Sequence, residues 1–204
     1  PSNDEEALQD SMILRVKNQL KIRTEDVSFV IDELKIMFEK DKRFSKVADF
    51  DNIGIFGHSF GGCTSIMSAY NDTRIDAVLG LDAYFLPLPK EIIKKDLDRP
   101  FVHLGQVSWG DSDNYKVMSE LGKSSNREFY HFAIEGSKHN DYTDFSQFTK
   151  LTRKFGSGKI SPKSIRYIMN DVMLGFFDYH LKNKSIFDHN QYQKKYESVK
   201  TYVH

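Results

Sequence analysis

The sequence predicts an α/β fold: a mainly parallel sheet flanked by helices. Three observations carry that prediction. Short apolar runs of strand length recur along the chain, segments of helical length and periodicity fall between them, and a glycine-rich turn follows the first run. At 204 residues the chain has the length of one domain with a real core.

The elements are read in chain order. Residues 1–10 are polar and acidic and read as a frayed end or linker. Val27, Val30, Ile31, Leu34, Met37 and Phe38 fall at spacings of three and four behind Thr24 as N-cap, predicting an amphipathic helix that packs on one face. Residues 52–57 form a short apolar run, as in a buried parallel strand, and residues 62–70 have helical composition. Further strands are expected at 76–81, 101–106 and 128–134, with a crossover helix over 113–122. Ser161 and Pro162 at N-cap and N1 open a long helix to Lys182, and residues 191–200 read as a weaker one.

Composition excludes several functions. Lys and Arg number 29, as do Asp and Glu, so no net field draws nucleic acid to the chain. The 39% hydrophobic content with 16 Phe and 10 Tyr excludes a disordered chain. A single cysteine, Cys63, excludes an intrachain disulfide and leaves both secretion and a cytosolic home open; it is expected as a small buried residue behind the turn. No apolar run approaches the ~18 residues of a membrane span, and no signal-peptide pattern opens the chain.

The chemistry concentrates in Gly57-His58-Ser59-Phe60-Gly61-Gly62. Between a buried strand and a helix, this reads as the nucleophile elbow of an α/β-hydrolase, in which a strained serine is lifted above the carboxyl edge of the sheet. Gly57 and Gly61 supply the small residues expected where strand and helix touch, and the Phe60 N–H is the expected oxyanion donor. A serine hydroxyl needs a base, and the base needs an anion to hold its tautomer. His139, in a turn-rich segment after the last strand, stands where the order Ser, acid, His puts the base. His58 is too near Ser59 in the chain to serve and is expected to shape the elbow; His103 and His131 fall inside strands and read as core residues. For the acid, Asp82 and Asp111 both follow strands, with Asp82 modestly favoured by its apolar neighbours. Acyl transfer of this kind needs no metal or organic cofactor.

Three segments, Ile55 to Gly62, Leu81 to Leu88 and Gly136 to Phe145, resemble in order and spacing the platelet-activating factor acetylhydrolases, also called lipoprotein-associated phospholipases. The resemblance extends in weaker form from the Val27 helix to about Lys182. It implies Ser59 as nucleophile, Asp82 as acid and His139 as base, which turns the modest preference for Asp82 into a firm one. It also implies calcium-independent hydrolysis of short or oxidised acyl chains at the second glycerol position of phospholipids. Phe148, Leu151 and Phe155, interleaved with Lys150, Arg153, Lys154 and Lys159, are then expected at a lipid or lipoprotein surface.

One departure stands out. The resembling family takes its second oxyanion donor from a His-Gly-x-Gly-like loop after an earlier strand, and nothing in residues 1–50 matches it. The whole chain, 1–204, is therefore expected to be the C-terminal catalytic part of a single hydrolase domain, with the N-terminal remainder of the same protein as its partner. Half of the sheet should then be absent and an apolar edge exposed. The competing readings are another esterase of this fold, cutinase-like or dienelactone-hydrolase-like, and a non-catalytic hydrolase-fold subunit.

Overall fold

The computed structural model describes residues 3–41, 43–44, 46–184 and 186–203. The chain opens with α1 (Asn3–Lys40), 38 residues long. Nothing after Pro1 breaks a helix before Lys40, since neither Gly nor Pro occurs there, and the expected linker over residues 1–10 is helical from Asn3; Pro1 and Ser2 lie outside the described residues. Thr24, expected as an N-cap, is instead inside the helix and buried, its hydroxyl donating to the Leu20 carbonyl at 2.8 Å.

The elbow then follows as β1 (Ile53–His58) and α2 (Phe60–Asn71), and after it β2 (Ile75–Leu81), α3 (Lys90–Ile93), β3 (Phe101–Gln106), α4 (Asp113–Ser124) and β4 (Phe129–Ile134). Next come α5 (Phe145–Phe148), α6 (Pro162–Lys182), α7 (His189–Lys195) and β5 (Val199–Val203). The sheet order is β1-β2-β3-β4-β5, with the first four strands parallel and β5 antiparallel to β4. The helix expected over 191–200 is therefore corrected: α7 stops at Lys195, and Val199-Lys-Thr-Tyr-Val203, rich in β-branched and aromatic residues, pairs against β4 from Ile134 to Tyr130.

Alternation along the strands divides the core between the two faces of the sheet. Ile75, Val78, Phe101 and Phe129 pack with Leu20 of α1, Cys63 and Ile66 of α2, and Met118 and Leu121 of α4. Ala77, Leu79, Val102, Leu104, Phe132 and Ile134 pack on the other face against Ile165, Ile168, Val172 and Phe176 of α6. The fold is thus the expected three-layer α/β arrangement.

β1 is an edge of this sheet, and its burial differs from its neighbour's. β2 is buried at all but one position, whereas β1 alternates between half-buried and exposed, with Phe56 56% exposed. The face of α1 beyond it is only partly covered. Val27 and Ile31 lean on the core, but Val30, Leu34 and Met37 are exposed, so the expectation of one packed face holds for the half that meets α2 and β1. Two open clefts, of about 270 and 380 Å3, run between α1 and β1.

Candidate active site

The site lies at the carboxyl ends of β1, β2 and β4, where parallel sheets of this type present their ligands. Ser59 sits between β1 and α2 with φ 55° and ψ −121°, a strained conformation for a residue with a side chain. Its N–H donates to the Leu81 carbonyl at 3.0 Å and its own carbonyl accepts from Tyr84 N–H at 2.9 Å, so the strain is held by β2 and the turn after it. The neighbouring glycines divide their roles differently from the expectation. A Cβ on Gly57 would lie 2.3 Å from the Gly61 carbonyl carbon, and one on Gly62 would lie 2.5 Å from Ala83 Cβ, but a Cβ on Gly61 would meet nothing within 4 Å. Strand and helix touch where Gly57 meets the backbone of Gly61 and Gly62, while the side of Gly61 that would carry a side chain faces the open cleft beside β1.

His139 begins the 3-10 turn His139–Tyr142 that follows β4. Its Nε2 is 2.9 Å from Ser59 Oγ and its Nδ1 is 2.6 Å from Asp82 Oδ2. With Asp82 accepting at Nδ1–H, Nε2 is left free to accept the serine proton. The turn is pinned by Asp141, which is buried and takes the Lys138 N–H at 2.9 Å and the Gly158 N–H at 2.6 Å. Trp109 stacks on the His139 ring, with centroids 5.3 Å apart and planes 23° apart.

Asp82 is fully buried and also has positive φ, 41°. Its Oδ2 accepts a second hydrogen bond from Gln106 Nε2 at 2.7 Å, and its Oδ1 accepts from Tyr115 Oη at 2.9 Å. Burial pushes this carboxyl upward, but the bonds from His139, Gln106 and Tyr115, with the nearby His103, outweigh it and hold Asp82 below the usual carboxylate range. Tyr115 moves the other way: burial and Asp82 push its hydroxyl well above the ordinary tyrosine value, so it remains a donor. The turn carrying Asp82 is locked from behind. His103 Nε2 accepts the Ala83 N–H at 3.1 Å, and Asn114 Oδ1 accepts the Phe85 N–H at 2.6 Å while its Nδ2 donates to the Ala83 carbonyl at 2.9 Å. Burial lowers His103 to about 4, consistent with a neutral acceptor.

Asp111, the other acid weighed from sequence, is exposed and has no bond to His139; its neighbour Asp113 opens α4 and pairs with Lys116 at 2.8 Å. The Phe60 N–H points from the first turn of α2 with no acceptor among the described residues. Phe148, Leu151 and Phe155 are 77%, 58% and 69% exposed, and they sit in α5 and in the 3-10 turn Lys150–Phe155. Asn140, next to His139, donates to the Phe155 carbonyl at 3.1 Å, which ties this apolar segment to the site. Sequence reading missed Gln106, Tyr115, Asn114 and Trp109. Gln106 at the carboxyl end of β3 carried the one available signal, a polar residue closing a buried strand beside the elbow.

Among the described residues no group of three or more His, Cys, Asp or Glu could hold a metal ion, and no helix is long and apolar enough to cross a membrane.

Comparison with known proteins places the chain. The pattern of the family described as "Platelet-activating factor acetylhydrolase, isoform II" matches residues 10–202. A platelet-activating factor acetylhydrolase of Gallus gallus is 29% identical over 143 residues, 69% of this chain and 34% of that protein. The Canis lupus familiaris protein of the same name is 28% identical over 166 residues, 80% of this chain and 35% of that protein. The chain therefore spans about a third of the length of these relatives. A ferulic acid esterase from Streptomyces cinnamoneus superposes with a TM-score of 0.68 over 84% of this chain and 51% of the esterase, at 20% identity, which bears on the fold alone.

Proposed function

Because this chain belongs to the platelet-activating factor acetylhydrolase, isoform II family of α/β-hydrolases, we propose that it carries the catalytic part of a serine-dependent carboxylic ester hydrolase. The observation that carries the reading is the continuous relay from Ser59 Oγ through His139 to the buried Asp82, at 2.9 and 2.6 Å. His139 Nε2 takes the Ser59 proton as Oγ attacks the ester carbonyl. Asp82 stabilises the imidazolium that forms, and the Phe60 N–H donates to the oxyanion. Collapse expels the alcohol, which leaves with the proton from His139. Water then attacks the acyl-serine, again with His139 as base, and frees the acid.

The proposed substrate class is phospholipids with short or oxidised acyl chains at the sn-2 position, a reading supported by the sequence motifs and by relatives named platelet-activating factor acetylhydrolase. Exposed Phe148, Leu151 and Phe155, held beside the base through Asn140, support contact of this segment with a lipid or lipoprotein surface. The open edge of β1 and the space facing Gly61 support a second partner, the remainder of the same protein, which would extend the sheet and bring the second oxyanion donor to Ser59. One oxyanion donor is worth about 100- to 1000-fold in turnover, so the longest form of the protein is the one to assay. Short-chain phospholipids and soluble esters of matched acyl length should be hydrolysed by it with a strong preference for the phospholipid. Equal turnover of both would support a general esterase instead.

A further inference from the structure

His58 precedes the nucleophile at the end of β1, and the reaction outlined above gives it no task. Its ring is half-buried, its Nε2 lies 3.0 Å from the backbone carbonyl oxygen of His139, and its centroid is 4.4 Å from that of the His139 ring. A carbonyl oxygen only accepts, so His58 Nε2 carries the hydrogen, which fixes its tautomer.

We propose that His58 is a positioning residue for the base: it ties the main chain of His139 to the strand that carries Ser59. The inference rests on the serine hydrolase reading. The His139 ring is held at Nδ1 by Asp82 and flanked on one face by Trp109. Ser59 reaches the same β2 turn through its own backbone bonds to Leu81 and Tyr84, so nucleophile and base are otherwise joined by way of β2. The bond from His58 joins them directly, because donor and nucleophile are adjacent residues and the acceptor belongs to the base itself. The distance from Ser59 Oγ to His139 Nε2 is thereby set within one short covalent and hydrogen-bonded ring. This matters most at β1, an edge strand that is less buried than β2.

The chemistry also limits what His58 can be. When His139 takes the serine proton it becomes a cation 4.4 Å from the neighbouring ring, so a charged His58 would oppose the step. Burial first, and the His139 ring second, hold His58 below the ordinary histidine value, against the opposing pull of its bond to the His139 carbonyl and of Asp82.

The test uses the longest expressible form of the protein and the rate of fluorophosphonate labelling, with thermal unfolding followed alongside. His58→Gln places an amide N–H where Nε2 stands; His58→Asn places one a bond too short; His58→Leu has none. His58→Leu and His58→Asn should label about 10- to 100-fold more slowly, the range set by misplacing a reacting pair by an ångström, and His58→Gln should recover most of the rate. With an ester substrate the loss should fall on kcat and leave KM nearly unchanged. If Leu fails to fold, the Gln against Asn comparison decides. Equal labelling by Gln and Asn variants, or a wild-type rate in His58→Leu, overturns the tether. Wild-type protein that does not label, or Ser59→Ala that does, overturns the hydrolase reading instead, so the two failures are separable.

Discussion

The interior around Asp82 and the edge along β1 are built on opposite terms. Asp82 is enclosed by β3 and α4, receives hydrogen bonds from His139, Gln106 and Tyr115, and rests on a turn held by His103 and Asn114. On the β1 side, Phe56 is exposed, Gly61 faces open space, and Val30 and Met37 of α1 are about half exposed. The hydrogen-bonded series from Ser59 through His139 to Asp82 is thus complete within this chain, whereas the side facing Gly61 is open. The contrast teaches that the two halves of such a site have different structural debts: the relay depends on buried polar satisfaction, and the oxyanion side depends on sheet continuity.

The largest test of the enclosed half is Asp82→Asn. It keeps the volume and removes the anion that selects the His139 tautomer, so labelling should slow by about 10^4; a loss under tenfold would show that the relay does not depend on Asp82. Acid titration comes next. His103 is neutral in the fold, with its value lowered from 6.5 to about 4, while in the unfolded chain it protonates normally. The unfolded state therefore binds the extra proton between those limits, and stability falls as pH drops through that window, by about 3 kcal/mol when complete. Asp82 acts in the same direction lower down, since its stabilisation is lost as pH falls through its lowered value. Chemical denaturation across pH 4 to 7 measures the slope, and His103→Gln, which keeps an acceptor for the Ala83 N–H, should flatten it.

Tyr115→Phe removes one donor from the buried carboxylate and should cost about 1.5 to 3 kcal/mol of stability. A smaller cost would mean that water replaces the hydroxyl. At the open edge the expected effect is smallest. Val30→Gln with Met37→Gln should change the stability of this chain by less than about 0.5 kcal/mol. In the longest form of the protein the same pair should cost several times more if the remainder covers that face, and equal costs in both forms would show that nothing packs there.

Much of the sheet could be read from the amino acids, and so could the elbow. The strands at 53–58, 75–81, 101–106 and 129–134 are apolar runs bounded by turn residues, and α6 announces itself with Ser161, Pro162 and a continuous apolar stripe. The start of α1 was less legible, because Asn3 to Glu6 are all polar and only Ala7 and Leu8 interrupt the polar run up to Asp10. β5 was hidden by Tyr192 to Lys200, whose mixed composition does not separate a helix end from a short strand. In the site, Ser59 and His139 stood out by motif and chain order. The residues that hold Asp82 did not, since Gln106 and Tyr115 reach it, and Asn114 reaches the turn that carries it, across 24 to 33 positions of sequence, and such contacts leave no local pattern. Gly61 was legible only in part: its backbone meets Gly57 where strand and helix touch, but nothing crowds the position that a side chain there would take.

On the proposed function, Ser59, activated through His139 and Asp82, is a working nucleophile. Fluorophosphonate labelling of the folded, longest form followed by peptide identification tests it most directly. A single adduct is expected on the peptide containing Ser59, absent in Ser59→Ala. A folded protein that takes no adduct, or takes it on another residue, would contradict it.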